Sequence, residues 1–73
     1  MQTQAFNSTS QNVKFAIYES IACNATAQIK VANYNRAETI AAMSALSNSQ
    51  LVIDGDRYMG TDDDCNEWAI RLS

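Results

Sequence analysis

The spacing of apolar and polar positions changes several times along this chain, and each change marks an element. The clearest block is Asn35 to Leu46, NRAETIAAMSAL. Ala37, Ile40, Ala41 and Ala45 recur at i, i+3, i+4 and i+8, with Met43 and Leu46 widening the stripe, which is helical spacing. Asn35 suits an N-cap, and Glu38 stands three residues on, where a capping box would place it. Four alanines raise the intrinsic propensity. A helix of about twelve residues is marginal alone in water, so its stripe must be packed against something.

On either side of this block the period is closer to two. In residues 12–22, NVKFAIYESIA, Val13, Phe15 and Ile17 fall on one face and Lys14, Ala16 and Tyr18 on the other, which predicts a strand. Phe15, Tyr18 and Ala22 also have helical spacing, so residues 15–25 carry two readings, of which strand is taken. Small polar residues from Cys23 to Thr26 predict a turn. Residues 27–33, AQIKVAN, alternate again, with Ile29 and Val31 inward. After the helix come a strand at 50–54, a turn at Asp54-Gly55, a return strand at Arg57 to Met59, an acidic turn at Gly60 to Asp64, and a closing strand at 65–72 with Trp68, Ile70 and Leu72 on one face. Residues 1–11 are polar apart from Met1, Ala5 and Phe6 and read as a flexible arm ahead of a single domain at 12–73, with an edge strand tied down by Phe6 as the competing reading.

The order ββαβββ predicts an α+β fold: an antiparallel sheet of four to five strands with one helix packed on one face. The expected core is Val13, Phe15, Ile17, Ile29, Val31, Ile40, Leu51, Ile53, Trp68, Ile70 and Leu72.

Composition narrows the function classes. Seventy-three residues suit one domain with a thin core, burying about 60% of the unfolded surface. Histidine is absent, which removes the commonest general base and metal ligand, and there is no glycine-rich phosphate loop and no CxxC pair. The chain therefore reads as a non-enzyme with no cofactor and no metal. No apolar run approaches the ~20 residues of a membrane span, and the amino terminus lacks the basic start and apolar block of a signal peptide. A cytoplasmic protein with no membrane partner is expected, and Cys23 and Cys65 are expected as buried thiols in preference to a disulfide.

The net charge is −3, which disfavours direct nucleic-acid binding. The charge is uneven: residues 50–73 carry a balance of −4 and residues 1–49 a balance of +1. Asp62, Asp64 and Asn66 begin a calcium-loop spacing, which then fails at Glu67 and Ser73. Asp54-Gly55-Asp56 and Asp62-Asp63-Asp64, as turns at opposite ends of one strand, would instead flank it with carboxylates able to meet a basic surface. Arg57 and Tyr58 are residue types favoured as interface anchors. The candidate partner-binding set is Asp54, Asp56, Arg57, Tyr58, Asp62, Asp63, Asp64 and Glu67, alongside ordinary solubilising surface charge as the plainer account.

The layout AQIKVANYNRAETIAAMSAL, then QLVIDGDRYMG, then NEWAIRL resembles the small phage-encoded type I-F anti-CRISPR proteins. The resemblance covers about 45 residues and implies an inhibitor that binds a host nucleoprotein complex and blocks nucleic-acid access. The chain is acidic where that relative carries lysines, so no contact residue is carried across. The function expected is a small binding or inhibitor protein from a mobile element. The alternative is a homo-oligomeric module, since a thin-cored domain gains by pairing sheet edges or helix stripes.

Overall fold

The computed structural model describes residues 2–73, with side chains from residue 9 onward. The elements are α1 (Gln2–Cys23), β1 (Ala27–Ile29), a 3-10 turn at Val31–Asn33, α2 (Arg36–Leu46), β2 (Val52–Asp54), β3 (Arg57–Thr61) and β4 (Glu67–Leu72). The fold is α+β, and three expectations are corrected within it. Among the described residues there are two α-helices instead of one. The element order begins with a helix, not a hairpin. The four strands form a mixed sheet in the order β1-β4-β3-β2, in which β1 runs parallel to β4 while β4, β3 and β2 form an antiparallel meander.

The largest correction is α1. One helix runs through both the expected arm at 2–11 and the expected strand at 12–22; Met1 of that arm lies outside the described residues. Its buried face is Thr9, Val13, Ala16, Ile17 and Ser20, at i, i+4, i+7, i+8 and i+11. Val13 and Ile17 therefore share a face as expected, but Phe15 is carried to the far side and is 72% exposed, as Tyr18 is at 65%. The small side chains of Ala16 and Ser20 let α1 lie close against β1 and β4.

α2 forms where the sequence places it. Asn35 is its N-cap, its Oδ1 accepting from the Glu38 backbone N–H at 3.1 Å. The buried face differs from the expected one. Thr39, Ala42 and Met43 are buried and Leu46 half-buried, while Ala37, Ala41 and Ala45 face outward. Thr39, Ala42, Met43 and Leu46 are as helical in spacing as the alanine stripe, and the rotation buries a methionine in place of alanine, which removes more apolar area from water.

Both helices lie on one face of the sheet. Tyr58, Trp68, Ile70, Leu72, Ala27 and Ile29 point toward them and are buried. Ile53 shares that face in register with Tyr58 but stands at the β2 edge, 57% exposed, so it drops out of the expected core with Phe15. Val31, Ile40 and Leu51 are half-buried. Cys23 and Cys65 are free, as expected, but exposed instead of buried. No helix among the described residues is long and apolar enough to cross a membrane.

Gly55 opens the two-residue loop between β2 and β3 with φ of 67°, while Asp56 keeps a negative φ. A positive φ at the first loop position alone is the mark of a type II′ turn, which matches the twist of the flanking strands.

Candidate interaction surface

The face of the sheet opposite the helices is not covered by any described element. Strand register sorts its residues into rows. Gln28, Arg71, Arg57 and Asp54 form one row; Ala69, Met59 and Val52 form the next; Glu67 and Thr61 form the third. The middle row makes an apolar floor, with Val52 55% exposed. A cleft of about 450 Å³ opens along this floor toward the α1–β1 corner, with Thr26, Met59, Thr61, Glu67 and Ala69 among its walls.

The candidate residues from sequence divide into four groups. Asp54 and Arg57 close the β2–β3 hairpin as a cross-strand pair, both exposed. Arg57 also stands directly opposite Arg71, a like-charge juxtaposition that costs stability. The Asp56 carboxylate relieves it, accepting from Arg71 Nε at 2.9 Å. Asp56 also accepts the Leu72 backbone N–H on its own carbonyl, at 2.9 Å, which extends the β3–β4 ladder into the turn. The hydrogen bond from Arg71 holds the Asp56 carboxyl below the usual carboxylate range, and Asp56 in turn raises the Arg71 guanidinium. Asp56 is thus already neutralised by this chain's own arginine, contrary to the expectation of a free carboxylate.

Tyr58 is the clear correction among these residues. It is 3% exposed and points into the helix-facing core, where its hydroxyl accepts from Arg36 Nη1 at 3.2 Å. It ties α2 to β3 and cannot anchor a partner. Period-two alternation with Gly60 on the inward face carries that signal, because Gly60 pairs with Trp68.

Asp62 is also occupied. Its Oδ1 accepts from the backbone N–H groups of Asn66 at 2.8 Å and Asp64 at 3.0 Å, and its own N–H donates to the Asn66 carbonyl at 2.9 Å. The Asn66 N–H is the foremost cause holding the Asp62 carboxyl below its ordinary range. The same bonds hold Cys65 at φ of 66°, in the left-handed region.

Asp63, Asp64 and Glu67 remain. All three are exposed, and none has an ion-pair partner among the described residues, where Arg71 with Asp56 is the one salt bridge. Glu67 lies on the uncovered face beside Thr61. The two acidic turns do sit at opposite ends of β3, roughly 20 Å apart at the rise of a strand.

Sequence reasoning missed Arg71, Met59, Ala69 and Val52 as surface constituents. Their alternation against the inward set was visible, but the register that puts Arg57 against Arg71 was not. It also missed the exposed aromatic pair Phe15 and Tyr18 on α1. No protein-family model, curated protein or solved structure matches this chain.

Proposed function

We propose that this chain is a non-enzymatic binding protein that engages a basic protein surface with the acidic end of its sheet. The observation that carries the reading is the exposure of Asp63, Asp64 and Glu67 beside an uncovered sheet face, with no cation paired to them among the described residues. A rigid turn that fixes carboxylates without neutralising them leaves their field available to a partner, and such a field acts chiefly on encounter rate and orientation. Asp62 supports this by holding the turn, and Asp54 extends the negative surface at the other end of β3.

The target class proposed is a host nucleic-acid-binding assembly, following the resemblance to the type I-F anti-CRISPR proteins; the carboxylates would occupy a groove that otherwise holds phosphates. A second reading, a self-associating module, is favoured by the exposed Val52 and Ile53 at the β2 edge.

The test is a capture experiment from host lysate with the full chain and with an Asp63→Asn, Asp64→Asn variant, which leaves the Asp62 turn bonds in place. A captured partner should be released by added nucleic acid and should bind the variant more weakly, with the difference largest at low salt. A partner held equally by both proteins at low salt sinks the electrostatic reading.

A further inference from the structure

We propose that β2 is a self-association edge, pairing antiparallel with β2 of a second copy about a two-fold axis at Val52 to form one continuous eight-stranded sheet. The backbone sets this up. Leu72 N–H donates to the Asp56 carbonyl and Asn48 N–H donates to the Thr61 carbonyl, so even-numbered residues of the β3 chain direct their backbone groups to β4 and odd-numbered ones to the β2 side. In register, Arg57 and Met59 then bond Asp54 and Val52. The N–H and C=O of Ile53, between them, point to the open edge; Leu51, just before β2, would join the pairing by extending the strand one residue.

Sheet edges are ordinarily guarded by shortness, charged side chains, proline, bulges or cover. β2 is three residues long and its one charge, Asp54, stands at its turn end; the rest of this edge is apolar. Residues 50–53 are Gln-Leu-Val-Ile, without charge, proline or glycine. Val52 on the uncovered face and Ile53 on the helix-facing side are 55% and 57% exposed. The opposite edge, β1, is different: Ala27 and Ile29 are buried there, and Lys30 follows directly.

The occupant is a second copy because the edge is complementary to itself. A two-fold axis at Val52 sets Val52 against Val52, Ile53 against Leu51, and Asp54 against Gln50, whose amide can donate to the carboxylate. Apolar meets apolar on both faces, and no like charges oppose one another. Shifting the axis to Ile53 would set Val52 against Asp54, an apolar side chain against a carboxylate. In the Val52 register the floor of Ala69, Met59 and Val52 continues into its symmetry mate, joining the two uncovered faces. An isologous contact of this kind closes after two copies. Asp63, Asp64 and Glu67, which carry the acidic reading, take no part and Asp54 alone is shared, so the Asp63→Asn, Asp64→Asn and Val52→Lys variants test the two readings separately.

Sedimentation equilibrium of the full chain tests it, at loading concentrations up to the order of 100 µM. The expected mass moves from the 8.0 kDa of one chain toward twice that value with concentration, and Val52→Lys abolishes the shift with an unchanged circular dichroism spectrum. In a Cys23→Ser, Cys65→Ser background, Val52→Cys should cross-link to a covalent dimer under mild oxidation more readily than Ile53→Cys. A chain that stays at 8.0 kDa throughout, or a dimer indifferent to Val52→Lys, overturns the proposal. Preferential cross-linking through Ile53→Cys overturns the register.

Discussion

Gly60 shows how much one side chain, or its absence, can decide here. It faces the helices on β3 and pairs with Trp68 on β4. A Cβ built at this position would stand 2.6 Å from Trp68 Cζ2 and overlap the Ser47 hydroxyl. The indole therefore lies against bare backbone, and Ser47 at the end of α2 closes over the same spot while its Oγ accepts from Thr61 N–H at 3.4 Å. Trp68 cannot retreat, being 2% exposed. Gly60→Ala should cost about 1–3 kcal/mol as an overpacked core position, read as a lower urea midpoint. Gly55→Ala provides the contrast, since nothing lies within 4 Å of a Cβ there and its penalty comes from the positive φ alone. Equal stability of Gly60→Ala and the parent would mean that Trp68 has room the packing denies it.

At the scale of elements, α1 is joined to the sheet by a hydrogen bond that completes a strand ladder. β1 begins to pair with β4 only at Ile70, so the Ala69 N–H, which faces the β1 side, has no strand partner. Ser20 Oγ accepts it at 2.9 Å. Ser20→Ala removes that donor's protein partner at the wall of the cleft and should cost about 0.5–1.5 kcal/mol, with amide exchange at Ala69 accelerated relative to Ile70. An unchanged exchange rate would show that the bond contributes nothing. This joint was not legible in the sequence. Over residues 13–17 a strand pattern and a helix pattern coincide, because Val13 and Ile17 are four apart and two pleats apart at once. The arbiter was Ser20 with Ala16, small residues that suit a helix lying close on a sheet, and their value depends on β4 being there. By contrast, Asn35 capping α2 and the Gly55 turn were readable because each rests on chemistry within four residues. The parallel pairing of β1 with β4 joins residues more than forty positions apart, and no local period encodes it. Among the candidate surface residues the same division holds. The turn acids were legible, whereas Asp56 bound by Arg71 and Tyr58 buried under Arg36 depend on strand register.

For the molecule as a whole, the carboxylates with shifted affinity predict how stability responds to acid. Asp56 is held below its ordinary value of 3.8 foremost by the hydrogen bond from Arg71, and Asp62 below the same value foremost by the Asn66 N–H. In the unfolded chain neither contact exists, so both groups there bind protons more readily than in the fold. The unfolded state then takes up more protons on acidification, and stability falls as pH falls. The contribution of both groups is complete above the unfolded value near 3.8 and is lost progressively below it, as pH descends through the folded values. Asp56 is exposed and Asp62 half-buried in a surface turn, so solvent screens the effect and the loss should be shallow. Urea midpoints should be level from neutral pH down to about pH 5 and then decline. Asp62→Asn isolates one part of this, because an amide oxygen can still accept from Asp64 and Asn66 while no longer titrating in this range. That variant should show a smaller decline below pH 4 than the parent, and Arg71→Gln should reduce the Asp56 share in the same direction. A decline of equal slope in all three proteins would place the acid sensitivity elsewhere than in Asp56 and Asp62.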